Sequence, residues 1–316
     1  MSSLPDAVTA GLEGLLGDLV RFDEPLGRLT SMGIGGPADA FCRVGDLPKL
    51  RAVLDLLDAH RVPRLLFGRG SNLLPDDRGF RGAVIRLEGE FAAIEVQERS
   101  VEAGAAAWLG TVIERAMSRD LGGLEFLTGI PGSVGGALIG NAGTATEAIG
   151  DATERVHVLA PGWVVRELSR SDLEFGYRKS VLKGMGAVVL RARLSLEPRP
   201  RAGIAERLRT YAERRRGQPL AMPNVGCIFK NPAAESAGRL IDRAGLKGER
   251  AGRIEVSRVH ANFMVNVGGG TAADVRELIR RVRDRVREST GILLEPEVVL
   301  LDETGRPSLL DAGVPC

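Results

Sequence analysis

Three glycine-rich segments are the first residues in this chain whose type and spacing could do chemistry. They are Thr30-Ser-Met-Gly33-Ile-Gly-Gly-Pro-Ala-Asp39, Phe67-Gly68-Arg69-Gly70-Ser71-Asn72-Leu-Leu74, and Thr128-Gly-Ile130-Pro131-Gly132-Ser133-Val-Gly135-Gly136-Ala137, the last running on to Asn141-Ala142-Gly143. Glycine supplies 41 of 316 residues, near twice the usual ~7%. A glycine run presents backbone N–H groups unhindered by side chains, which is what a pyrophosphate site needs. Any one segment alone could be a set of ordinary turns. Three together, two carrying Ser-Asn or Asn-Ala-Gly, favour a large phosphate-bearing cofactor. A side chain at Gly132 or Gly135 is expected to push a pyrophosphate off its donors.

Other familiar motifs fail. No Gly-Lys-Ser/Thr exists for a P-loop, HExxH is absent, and Pro131 stands where a nucleophile elbow around Ser133 would need glycine. Gly33-Ile-Gly35-Gly36 starts like a dinucleotide fingerprint, but Pro37 follows and the third glycine is misplaced. Three distant cysteines, Cys42, Cys227 and Cys316, rule out a disulfide framework and a CxxC metal knuckle. No metal site is expected.

The elements that must position these segments alternate irregularly. Leu50, Val53, Leu54 and Leu57 share a helical face behind a cap at Asp46, and Arg64–Phe67 reads as a short strand feeding the second glycine segment. Ala83–Leu87 and Val156–Leu159 also read as strands, and Leu109, Val112, Ile113 and Ala116 mark a helix between them. This pattern predicts α+β rather than a regular βαβ sheet. The stretch Glu197-Pro-Arg-Pro200 makes a boundary. Beyond it, Ile204, Leu208 and Tyr211 define one helix ending near Gly217. A second helix starts at Thr271 with Asp274 as its capping acid, and carries Arg276, Arg280, Arg283 and Arg287 on a face expected to be solvated.

Composition sets limits. Lys+Arg is 43 against Asp+Glu 41, so the chain as a whole is no polyanion binder, and no nucleic-acid partner is expected. No apolar run approaches the ~18 residues of a spanning helix, and the N-terminus lacks a basic region and cleavage site. A cytoplasmic enzyme without membrane insertion is expected.

Five motifs then carry a resemblance. Phe67-Gly-Arg-Gly-Ser-Asn72, Gly129-Ile-Pro-Gly-Ser-Val-Gly-Gly136, Tyr177-Arg178-Lys-Ser180, Asn224-Val-Gly-Cys227-Ile-Phe-Lys230-Asn231-Pro232 and Leu294-Glu-Pro-Glu297-Val298 stand in the order seen in the UDP-N-acetylenolpyruvoylglucosamine reductase (MurB) family. The chain resembles that family over about residues 25–300. The resemblance implies a two-lobed, vanillyl-alcohol-oxidase (PCMH) type FAD-binding domain and a separate α+β substrate-binding domain. The regions expected are 1–20 as an N-terminal extension, 21–82 and 83–198 as the two lobes, 199–300 for substrate, and 301–316 as a tail. It also implies non-covalent FAD, NADPH as co-substrate, a UDP-sugar substrate in peptidoglycan precursor synthesis, and a monomer.

Residue roles are carried over position by position. Arg178 matches the family arginine, able to take a carboxylate as a bidentate fork, and Glu297 matches the glutamate that supports an enolic intermediate. Cys227 stands at the proton donor, which is serine in many members; without the resemblance it reads as a small buried hydrophobe. Placed among Arg178 and Lys230, its thiolate is expected to be reactive toward alkylating agents. The cofactor residues expected are Gly33, Gly68, Arg69, Gly70, Ser71, Asn72, Ile130, Pro131, Gly132, Ser133, Gly135, Gly136, Asn141, Ala142 and Gly143. Tyr177, Asn231, Lys230, Gln218, Arg239 and Lys247 are the expected substrate residues, with Arg215 a further candidate beside Gln218. His260 reads as structural.

Two departures matter. After Gly143 the chain reads Thr-Ala-Thr-Glu-Ala-Ile-Gly150 rather than the family's Tyr-Gly-Gly-containing loop. Only Tyr177 and Tyr211 exist, so a mobile tyrosine loop has no candidate and the chain resembles the shorter subgroup. The alternatives are another non-covalent FAD oxidoreductase of the same fold, or a nucleotide-binding regulator without catalysis.

Overall fold

The first lobe is a four-stranded sheet whose central strand is buried on both faces. We describe residues 4–307 of a computed structural model. Strands β1 (Val20–Pro25), β2 (Pro37–Val44), β3 (Arg64–Leu66), β4 (Leu73–Leu74) and β5 (Phe80–Leu87) belong to this lobe, and the sheet runs β1-β2-β5-β3. Ala38 to Cys42 of β2 are all buried, the pattern of a strand covered on both sides. Helix α1 (Asp6–Leu16) and helix α2 (Leu47–Ala59) supply the cover, with Val8, Leu12, Leu50, Val53, Leu54 and Leu57 fully buried. The Asp46 side chain caps α2 by accepting from the Lys49 N–H at 2.8 Å. Residues 6–16 are thus part of the core.

The second lobe holds β6 (Ile94–Val96), β7 (Ser100–Gly104), β8 (Leu121–Gly122), β9 (Thr153–Ala160), β10 (Val164–Ser169), β11 (Val188–Ser195) and β12 (Glu197–Pro198). Its main sheet is antiparallel, in the order β10-β9-β11-β7-β6. Helices α3 (Leu109–Met117), α4 (Val134–Ile139) and α5 (Ile149–Ala152) bury Leu109, Val112, Val134, Leu138 and Ile149 against it. Leu159, Val188 and Leu190 instead face the first lobe's core, which joins the two lobes through apolar contact.

Helix α6 (Arg201–Arg215) follows the Pro-rich boundary, yet Tyr211 and Leu208 pack into the second lobe's core. The remaining region contains α7 (Ala237–Arg243), β13 (Arg250–Ala251), β14 (Ile254–Val256), β15 (Met264–Asn266), α8 (Ala272–Thr290) and β16 (Val299–Leu300). Its core takes in Met32, Ile34 and Leu74 from the first lobe, and β16 pairs in parallel with β4. Helix α8 begins with the expected Thr271–Asp274 capping box and ends at Gly291 with φ +74°.

One expectation is corrected on α8. Its arginine face is not all solvated: Arg283 is buried and its Nε donates to the Leu294 carbonyl at 3.0 Å, while Arg276 donates to the Leu301 carbonyl. A guanidinium can reach a strand carbonyl while its stem packs on the apolar face. The expected tail falls partly outside the description, since 308–316, with Cys316, lie beyond the described residues. Among the described residues no helix is long and apolar enough to cross a membrane.

Candidate functional site

Backbone pairing brings Cys227 and Glu297 into one place. Residues 227–230 lie between two other segments. On one side Cys227 bridges Phe263, and the Ile228 N–H donates to the Asn262 carbonyl at 2.9 Å. On the other, Glu297 N–H donates to Ile228 at 2.7 Å and Lys230 N–H to Glu295 at 2.9 Å. The buried Asn262 side chain locks the middle: its Oδ1 accepts from Phe229 N–H at 3.0 Å and its Nδ2 donates to Phe229 carbonyl at 2.8 Å.

Arg178 arrives from the second lobe on a tight turn. Gly176 and Lys179 exchange both backbone hydrogen bonds, at 3.0 and 3.1 Å, leaving Tyr177 and Arg178 at the tip. Arg178 has φ +54°, a left-handed conformation that costs a non-glycine residue about 1 kcal/mol or more and concentrates at functional sites. Its Nε lies 2.5 Å from Glu297 Oε1, and its two terminal nitrogens donate to the Asn141 and Gly143 carbonyls at 3.4 Å. The Tyr177 hydroxyl accepts from the Asn231 N–H at 3.2 Å. Lys230 ion-pairs with Glu295.

The titration behaviour follows from burial. Burial pushes the Glu297 carboxyl above its ordinary value, while Arg178 and Lys230 pull it back. The Cys227 thiol is pushed up to about 11 by burial, with the Glu297 charge adding to it and Arg178 and Arg215 only partly offsetting it. This corrects the expectation of a reactive thiolate, because desolvation outweighs the two guanidiniums. Cys227 is a neutral thiol near neutral pH, the form a proton donor needs. Iodoacetamide at about pH 8 should modify Cys227 on the order of 10²-fold more slowly than a free thiol, whose pKa is ~8.5. Peptide mass spectrometry checks this; modification at the free-thiol rate would show the thiolate to be stabilised after all.

Arg215 is the substrate candidate that the fold favours over Gln218. It ends α6 beside Cys227 and Arg178 and is held below its ordinary value by burial. Gly129, at φ +74°, makes room for it, since a Cβ there would meet Arg215 Cδ at 2.7 Å. Among the described residues Gln218 shows only backbone hydrogen bonds, with Arg215 and Leu220. Asn231 is exposed, and its Oδ1 accepts from Ala237 N–H at 3.0 Å. Arg239 and Lys247 are not gathered with the Cys227 cluster. They line a cavity of about 290 Å³ with His260 and Asp242, and Lys247 is ion-paired to Asp242 at 2.8 Å. Burial lowers the pKa of His260, and its Nδ1 accepts from the Asn262 N–H. Asn262 was missed, although it lies two residues beyond His260.

The glycine segments divide into an accessible cradle and a set of packing positions. Gly33, Gly68, Arg69, Asn72, Pro131 and Gly136 are exposed, and Ser71, Ile130, Gly132 and Ala142 are half-buried. The second and third segments meet at Ser133, whose Oγ lies 3.2 Å from where a Gly68 Cβ would stand. Five successive N–H groups, residues 68–72, donate to no acceptor among the described residues. Unsatisfied N–H groups in series make an anion-binding concavity. Arg69 lies over the Trp108 ring at 4.4 Å, and Trp108 bridges Ser133. Arg86, near the Phe41 and Phe67 rings, has a buried Nε with no hydrogen-bond partner among the described residues. A phosphate-bearing cofactor fits this arrangement.

The other glycines serve the fold. Gly135 is buried, its N–H donates to the Ala105 carbonyl, and a Cβ would meet the Ala105 Cβ at 3.0 Å. This corrects the expectation that a side chain there would first displace a pyrophosphate; it would first displace Ala105. At Gly70 (φ +64°) a Cβ would lie 2.4 Å from the Leu29 carbonyl, and at Gly143 2.1 Å from the Glu147 carbonyl. Asn141 is buried and braces the turn, donating to the Gly176 carbonyl at 2.8 Å. Asn72 links lobe and site: its Nδ2 donates to the Glu297 carbonyl at 3.2 Å.

Residues 218–301 match the family described as UDP-N-acetylenolpyruvoylglucosamine reductase, C-terminal domain, and residues 38–162 match FAD binding domain. The UDP-N-acetylenolpyruvoylglucosamine reductase 2 of Symbiobacterium thermophilum is 43% identical over 88% of this chain and 91% of its own length. The reductase of Rubrobacter xylanophilus is also 43% identical, over 90% of this chain and 95% of its own. A crystal structure of the Thermus caldophilus reductase superposes with a TM-score of 0.78 at 40% identity, covering 89% of this chain and 99% of that one. The two-lobed flavin-binding fold with a separate α+β region is the one expected. With nine-tenths of its length matched at this identity, the chain belongs to the UDP-N-acetylenolpyruvoylglucosamine reductase family.

Proposed function

We propose that the protein reduces the enolpyruvyl group of UDP-N-acetylglucosamine enolpyruvate to give UDP-N-acetylmuramate, a step of peptidoglycan precursor synthesis. FAD is the cofactor and NADPH the electron donor. The observation that carries this reading is the meeting of Arg178, Glu297 and the neutral thiol of Cys227 in one cluster. Asn72 ties that cluster to the glycine cradle.

The N–H groups of 68–72 and the neighbouring Ser133 would hold FAD, which would supply hydride for C3 of the enolpyruvyl group. The chain's own residues must then manage charge and one proton. Arg178 takes the substrate carboxylate, where negative charge develops, as a two-pronged donor. Glu297 holds the guanidinium from its Nε side, and each terminal nitrogen, with one N–H on a carbonyl, keeps a second for substrate. Cys227 gives its proton to C2, and the thiolate left behind faces Arg178 and Arg215. Lys230, Asn231 and Tyr177 line the approach, with Arg239 and Lys247 as candidates for a more distant part of the sugar nucleotide. The working form we propose is a cytoplasmic monomer with regions 21–82 and 83–198 for cofactor and 199–300 for substrate.

The cofactor part of the reading has a direct check. The glycine segments contain no His or Cys, so nothing in them can link to the flavin. The protein should purify yellow, and acid precipitation should leave the chromophore in the supernatant. Flavin that stays with the pellet would mean a covalent link. Folded protein that gains no flavin absorbance when given FAD would overturn the cofactor assignment.

A further inference from the structure

The loop after Gly143, where the chain departs from its family, is anchored by side chains of its own. It folds as a tight hairpin: Gly143 bridges Ala148, and the Thr144 N–H donates to the Glu147 carbonyl at 2.7 Å. The Glu147 carboxylate, just after the hairpin tip, accepts from the Tyr211 hydroxyl and from Arg207 Nη2, the latter at 2.8 Å. Arg207 and Tyr211 are one turn apart on the same face of α6. The Arg207 Nε also approaches the buried Glu125 carboxylate at 3.8 Å.

Both ends of this joint lead to the reaction cluster. One turn beyond Tyr211, α6 ends on Arg215, which lies beside Cys227 and Arg178. On the other side of the hairpin, the Asn141 and Gly143 carbonyls hold the terminal nitrogens of Arg178. Arg178 stands at a turn tip; Glu297 meets its Nε, and among the described residues its terminal nitrogens bond only these carbonyls.

We propose that Glu147, Tyr211 and Arg207 form a positioning joint that locks the 143–148 hairpin to α6 and so fixes Arg178 and Arg215 relative to one another around Cys227. The inference rests on the reading above, in which Arg178 takes the substrate carboxylate. Without the joint, the hairpin carbonyls drift from Arg178, and the guanidinium is left to Glu297 alone. The carboxylate site then has to be rebuilt each time substrate binds.

The test uses the flavin-loaded full chain and the variants Glu147→Ala, Glu147→Gln, Tyr211→Phe and the double variant Glu147→Ala/Tyr211→Phe. KM for the enolpyruvyl sugar nucleotide should rise about tenfold in Glu147→Ala and in Tyr211→Phe, the scale of a lost hydrogen bond to a charged group. The double variant should be no worse than either single one, because the pair acts as a unit. Glu147→Gln, which still accepts from Tyr211, should recover most of the loss. In the resting protein, amide exchange should quicken in Glu147→Ala at 176–180, a segment bonded to the hairpin through Asn141, as well as at 142–150. Unchanged exchange at 176–180 would overturn the proposal. So would parental kinetic constants in variants that hold flavin and melt like the parent. If the parent itself does not turn over this substrate, the functional reading falls, and the exchange comparison still decides the joint.

Discussion

Cys227→Ala should leave flavin reduction by NADPH nearly intact and slow the second half-reaction, with the enolpyruvyl sugar nucleotide, by on the order of 10²–10⁴, the usual scale for a positioned acid. The reason lies in where the thiol sits. Burial keeps it neutral, with a pKa of about 11, so the proton is present at every pH at which the enzyme would work. The pairing of Cys227 with Phe263 and of Ile228 with Asn262 fixes the backbone from which it is aimed. Cys227→Ser should retain substantial turnover, because a hydroxyl occupies nearly the same place and is the commoner residue of the resemblance. Rapid mixing separates the halves, since reduction bleaches the flavin and reaction with the sugar nucleotide restores its colour. An alanine variant that reoxidised as fast as the parent and released normal product would make Cys227 a packing residue.

Arg178→Ala should be nearly as costly, lowering kcat/KM by on the order of 10²–10³, the range for removing one preorganised donor of charge stabilisation. Arg178→Lys should rescue little of it. An ammonium is a single point of charge on a flexible stem and cannot grip a carboxylate and Glu297 at once, as the planar fork can. The loss should fall on the second half-reaction. In the alanine variant Glu297 loses its main partner within a buried site, so its carboxyl should titrate still higher than in the parent, where Arg178 offsets burial. The pH profile of the surviving activity reads this as a limb displaced upward. A lysine variant with parental kinetics would mean that charge alone suffices and the fork is unnecessary.

Much of this site was legible in the sequence because it is written in short motifs. Tyr177-Arg178-Lys-Ser180 is a four-residue turn, and Cys227 and Glu297 each stand inside a contiguous run, so the family resemblance carried by those runs brought them together. The helices over 47–59 and 272–290 were legible through caps and periodic apolar residues. What failed needed three-dimensional proximity. Gly135 and Gly132 look equivalent in a glycine run, and only the approach of Ala105 separates them. Arg215 and Gln218 are three residues apart, but the last turn of α6 carries Arg215 to the cluster. The thiol's charge state could not be guessed from neighbouring cations, because the desolvation that decides it depends on how much water the fold removes. Arg283 reads as a surface residue on a helical wheel, yet it bonds a carbonyl eleven residues on. The hairpin joint of Glu147 to Tyr211 links residues 64 apart and left no local signal.

Anaerobic single turnover in deuterated water follows both the hydride and the proton into the enolpyruvyl double bond. Enzyme reduced by one equivalent of NADPH is mixed with UDP-N-acetylglucosamine enolpyruvate, and the product is read by mass spectrometry and NMR. The oxidised flavin spectrum should return in full, with one equivalent of UDP-N-acetylmuramate carrying a solvent deuteron at C2. Flavin that stays reduced until oxygen is admitted, with the enolpyruvyl group recovered unchanged, would contradict the proposed reaction.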